Sequence, residues 1–111
     1  MAAILPGTLE MLILRTLAIE RMHGYAIAQH IARVSNDTLR VEKGSLYPAL
    51  ERLQRNGWVT AKWAESETGR RARYYSITAS GRRALGEQVA AFQESNEAIA
   101  RVLNPTLEPG T

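Results

Sequence analysis

The sequence predicts a mostly α-helical fold with one small β-hairpin: three helices, the hairpin, and a long C-terminal helix. Apolar residues recur at helical spacing in three segments before Gly57, each closed by a glycine or by polar turn residues. Two runs rich in β-branched and aromatic residues, "WVTAKWAE" and "RARYYSIT", flank "SETGR", where Gly69 can take a positive φ and close a hairpin. Leu85, Val89, Phe92, Asn96, Ile99 and Leu103 follow at spacings of 4, 3, 4, 3 and 4, the a/d register of a coiled coil with one polar position.

The first helix opens at Thr8, a suitable N-cap with Glu10 in the first turn, and continues through "LEMLILRTLAIE". Its apolar set is wider than one face, which predicts burial on two sides. After a turn at Gly24, "YAIAQHIARV" sets Ile27, Ile31 and Val34 on one face of a second helix. In "GSLYPALERLQRNG" Ser45 suits an N-cap, Pro48 falls in the first turn, and Asn56-Gly57 stops the third helix. Leu46, Ala49, Leu50 and Leu53 form its buried stripe, which leaves Tyr47, Pro48, Arg52 and Gln54 outward. In the second strand of the hairpin, Arg73, Tyr75 and Ile77 alternate with Tyr74, Ser76 and Thr78, so one tyrosine faces the core and alternation alone does not say which. The last helix starts near Thr78, and the proline-bearing tail cannot extend it.

Charge is distributed unevenly along these elements. Residues 40–83 hold ten basic and four acidic side chains, whereas residues 84–111 hold one basic and four acidic. A basic middle segment of this kind suits a polyanion. The chain has no cysteine, which excludes disulfides, thiolate metal sites and cysteine catalysis. His23 and His30 have no placed acid or nucleophile beside them, so no catalytic residue, cofactor or metal is expected and the protein is read as a non-enzyme. The opening "MAAILPGTLEMLILRTLAIE" lacks a basic leader and its apolar run is broken by Arg15, which predicts a cytoplasmic protein with no membrane span.

Three helices followed by a hairpin is the order of a winged helix-turn-helix, whose third helix enters the DNA major groove while the hairpin, or wing, lies along the backbone. Guanidinium groups on the wing would pair with phosphates, and Tyr47, Arg52 and Gln54 could reach base edges. Duplex RNA is disfavoured because its deep, narrow major groove does not admit a helix. A protein-interaction adaptor with a non-specific basic surface is the alternative, since the final helix would suit it.

"GTLEMLILRTLA", "MHGYAIAQHI", "EKGSLYPALERLQRNGWV" and "RYYSITASGRRAL" resemble, in that order, the PadR family of bacterial transcriptional regulators over residues 7–85. The resemblance implies a DNA-binding dimer, usually a repressor, of the short subclass with a single C-terminal helix. It places DNA-facing positions at Lys43, Ser45, Tyr47 and Pro48 and at Thr68, Gly69, Arg70, Arg71 and Arg73 of the wing. It also permits a small aromatic effector near the dimer interface, which Trp58 and Trp63 could line, the alternative being that they are core residues.

The domain expectation is a DNA-binding unit over 1–78, a dimerisation helix over 79–104 and a flexible tail over 105–111. The seam from Leu85 to Leu103, and the broad apolar surface of the first helix, both ask for a second protomer, the alternative being that the seam packs on the first helix of its own chain. Two such units about a two-fold axis would read a near-palindromic operator in double-stranded DNA.

Overall fold

The computed structural model describes residues 7–104, so the tail expected over 105–111 lies outside the described residues. In chain order the elements are α1 (Thr8–Leu17), β1 (Met22–His23), α2 (Gly24–Val34), α3 (Lys43–Arg55), β2 (Val59–Glu65), β3 (Arg71–Ile77) and α4 (Ala79–Leu103). The helices and the hairpin thus stand where the apolar periodicity puts them. The sheet, however, has three strands rather than two, antiparallel in the order β1-β3-β2. Two residues are too few to show alternation, so β1 becomes visible only through its partners, Met22 opposite Tyr75 and His23 opposite Tyr74.

At the centre lies α1, in contact with α2, α3, α4 and β3. Ile13, Leu14 and Leu17 meet Ile27 of α2 and Leu50 and Leu53 of α3 in the most deeply buried layer. Truncating Leu50 or Leu53 to alanine would leave a cavity worth about 2–5 kcal/mol. Much of the apolar surface of α1 is thus covered by its own chain, while Ile19 just beyond it is 56% exposed. Among the described residues the one buried polar side chain, Thr16, satisfies itself by donating to the Leu12 carbonyl at 2.8 Å.

Two helix starts differ from expectation. Gly7, at φ 85°, precedes α1, so Thr8 is the first helical residue rather than its cap. For α3 the capping residue is Glu42: the Ser45 and Leu46 amides donate to its carbonyl at 3.0 and 2.9 Å. Ser45 thus lies within the first turn with its hydroxyl uncommitted, and Pro48 sits a turn inside the helix, leaving the Gly44 carbonyl without its usual donor. The end of α3 matches the sequence. Gly57, at φ 75°, donates to the Gln54 carbonyl and Trp58 to the Leu53 carbonyl, both at 3.0 Å, completing a Schellman stop.

Thr78 caps α4, accepting from the Gly81 amide at 3.0 Å while its hydroxyl donates to the Gly57 carbonyl at 2.7 Å. The first turns of α4 pack on the core through Ala84, Leu85 and Val89. Beyond Val89 every described residue of α4 is exposed, and the helix projects from a molecule measuring 61 × 30 × 22 Å.

Candidate nucleic-acid interface

The wing forms because two seven-residue strands pair from Val59 opposite Ile77 to Glu65 opposite Arg71 and turn through Ser66–Arg70. Gly69 carries the positive φ of 83° that closes the turn, its amide donating to the Ser66 carbonyl at 2.9 Å. Alternation then resolves the tyrosines: Tyr75 enters the core at 4% exposure and Tyr74 lies half-buried on the other face.

Antiparallel pairing of β1 with β3 brings the wing against the start of α2, and the start of α3 faces both. The resulting cleft is lined by Tyr47 of α3, by Arg21, His23, Tyr25 and Gln29 around α2, and by Trp63, Thr68, Arg70, Arg71, Arg73 and Tyr74 of the wing. Of the residues expected to face DNA, Tyr47, Thr68, Arg70, Arg71 and Arg73 meet here. Lys43, Ser45 and Pro48 are exposed at the start of α3 beside the cleft, and Gly69 is at the wing tip.

Arg52 stands apart. Its guanidinium is held by the Glu10 carboxylate of α1, with Nε donating at 3.1 Å. The structure separates it from the group around Tyr47, so it ties α3 to α1. Conversely, nothing in the sequence indicated that Arg21, Tyr25 and Gln29 line this cleft, because the β1–β3 pairing brings that segment to the wing.

Three guanidiniums rest on aromatic faces: Arg21 on Tyr74 at 4.9 Å, Arg71 on Trp63 and Arg73 on Tyr75, each at 5.9 Å. Such contacts contribute about 0.5–1 kcal/mol at exposed sites and orient the planar group. Among the described residues the ion pairs are Arg52–Glu10 and Arg55–Glu51, so the cleft arginines keep their donors for an incoming anion. Burial raises the Tyr75 phenol above its ordinary value of 10.0, with neighbouring Arg73 lowering it and Tyr47 raising it. Trp63 lines the cleft, whereas Trp58 packs against the core.

The histidines have structural partners. His23 caps α2, its Nδ1 accepting from the Ala26 amide at 3.2 Å, and its ring meets Tyr74 edge-on at 5.4 Å. His30 is paired with Arg33 at 3.5 Å. Among the described residues no three His, Asp or Glu side chains converge to hold a metal, and no helix is long and apolar enough to cross a membrane.

An exposed third-helix N-terminus and an arginine-bearing wing on one concave face define a winged-helix DNA-binding protein. The chain belongs to the transcriptional regulator PadR-like family, whose model matches residues 13–87. It is 35% identical over 82 residues to a transcriptional regulator of Mycobacterium tuberculosis, covering 74% of this chain and 73% of that one. A PadR-like transcription factor from Bacteroides fragilis is similar in structure, with a TM-score of 0.70, 33% identity and coverage of 86% and 90% of the two chains. A PadR family regulator from Eggerthella lenta gives a TM-score of 0.76 at 30% identity, covering 88% and 83%. The protein is accordingly a non-enzymatic, DNA-binding transcriptional regulator.

Proposed function

We propose that this regulator is a cytoplasmic homodimeric repressor that occupies a near-palindromic operator, reading bases from the start of α3 and holding phosphates with the wing. The convergence of Tyr47 with Arg70, Arg71 and Arg73 on one cleft, with the guanidiniums free of carboxylate partners among the described residues, carries the reading. Phosphate contacts from the wing set position, and side chains from α3 discriminate bases. Lys43 and Ser45, exposed in the first turn of α3 where the helix dipole is positive, add donors for the same strand.

Dimerisation is supported by the distal half of α4, where Phe92 is 46%, Ile99 56% and Leu103 73% exposed along a single seam with Asn96 between them. A second α4 would cover this stripe and place two reading heads about one DNA turn, roughly 34–36 Å, apart. The test is selection of binding sites from a random-sequence duplex pool, followed by footprinting and a transcription assay on the recovered site. A protected two-half-site palindrome from which added protein lowers transcription supports the proposal. Binding with no sequence preference, or a rise in transcription, overturns it.

A further inference from the structure

Gly24, the first helical residue of α2, is buried beneath the ring of Tyr47. A methyl group built on it would lie 2.7 Å from the Tyr47 hydroxyl oxygen and 3.0 Å from ring atoms Cε1 and Cζ. Neither the turn nor the helix requires a glycine at this point. Its φ is not among the positive values of the described residues, which belong to Gly7, Gly57, Gly69, Asn36 and Asp37, and alanine is the better helix former. What the missing side chain supplies is room for Tyr47.

The floor of that seat is fixed from other directions. The His23 cap holds the first turn of α2, and Met22 and His23 are paired to Tyr75 and Tyr74 of the wing. Tyr47 is the movable member: it stands on the surface of α3 at 46% exposure, and the atoms that approach Gly24 are the far end of its side chain. An added methyl group would therefore displace the tyrosine rather than the backbone.

We infer that Gly24 is a positioning residue for DNA reading: by lacking a side chain it sets the orientation in which Tyr47 projects from α3 toward the duplex. The inference rests on the assignment of Tyr47 to the DNA interface. It also makes the start of α2 and the reading helix one unit, so a residue that need not touch DNA governs specificity.

The test compares wild type, Gly24→Ala, Tyr47→Ala and the double variant. Each is measured by thermal unfolding and by affinity for a duplex selected from a random-sequence pool and for an unselected duplex. Gly24→Ala should fold, lose about tenfold in affinity for the selected duplex and change little on the unselected one. In the Tyr47→Ala background it should have no further effect, because the group it acts through is gone. Multiplying losses in the double variant, equal losses on both duplexes, or failure of Gly24→Ala to fold would overturn the inference. A DNA-free arm separates it from the function itself: wild-type NMR should show a nuclear Overhauser contact between the Gly24 α-protons and the Tyr47 ring. Absence of that contact refutes the seat. Its presence in a protein for which no duplex can be selected would refute the Tyr47 assignment, and the inference with it.

Discussion

The backbone carbonyl of Trp58 occupies the space that a side chain on Gly81 would need. A methyl group built on Gly81 would overlap that oxygen and lie 2.8 Å from Ile77 Cγ1. The carbonyl cannot withdraw, because it accepts from the Thr78 amide at 2.9 Å and its neighbour Gly57 accepts from the Thr78 hydroxyl. Gly81→Ala should therefore destabilise the fold by about 3 kcal/mol, the upper end of ordinary overpacking, as read by urea unfolding. Gly86, which faces open space on the same helix, provides the contrast: Gly86→Ala should be neutral or stabilising by up to about 1 kcal/mol.

The Arg52–Glu10 pair yields a different expectation. Half of the Arg52 side chain is exposed, so a double-mutant cycle should return a coupling of about 0.2–1 kcal/mol that fades in salt. Because this guanidinium already has a partner, Arg52→Ala should weaken DNA binding less than Arg71→Ala in the same titration.

Replacing Arg70 and Arg71 together with alanine should weaken binding to selected and random duplexes alike and lower the salt slope by roughly one to two units. Both side chains line the cleft and neither has a carboxylate partner among the described residues. An unchanged slope would mean that the wing does not touch phosphate.

Tyr75 gives the pH dependence. Its phenol is raised above 10.0 chiefly by burial, so the folded state binds the proton more tightly than the unfolded chain. The stabilisation is fully present below the unfolded value, near pH 10, and is lost as pH rises through the higher folded value. Stability of the wild type should consequently fall with pH above about 10, and Tyr75→Phe should flatten that fall in a denaturant series.

Elements with strong periodicity or firm punctuation were legible in the sequence. The Leu46, Ala49, Leu50, Leu53 stripe and the Asn56-Gly57 stop are where spacing and turn chemistry put them, as is the hairpin closed at Gly69. What was hidden depends on tertiary pairing. β1 is two residues long, too short to show in the sequence, and its pairing with β3 is what brings Arg21 and Tyr25 to the wing. Ser45 misled because serine is a frequent N-cap, yet Glu42 starts α3 a turn earlier. The Arg52–Glu10 pair was hidden because an outward position on a helix does not reveal an acidic side chain on a neighbouring one.

The last expectation concerns α4, whose seam the fold divides in two. Leu85 is 9% exposed and Val89 packs on the core, so charge at either position would disturb the protomer itself. Phe92 and Ile99 lie beyond that boundary and are 46% and 56% exposed, which makes them the cleaner probes. Phe92→Glu with Ile99→Glu should leave the winged unit folded, since neither side chain belongs to its core, and lower its apparent stability only by the concentration-dependent linkage lost with the dimer. Sedimentation at micromolar concentration should shift from dimer to monomer. Affinity for a two-half-site operator should then drop about 10²–10⁴-fold, because the second head is no longer tethered at high effective concentration, while a single half-site should be bound as before. A variant that remains dimeric would place the interface elsewhere, and one that becomes monomeric yet binds the full operator unchanged would show that a single winged helix suffices for recognition.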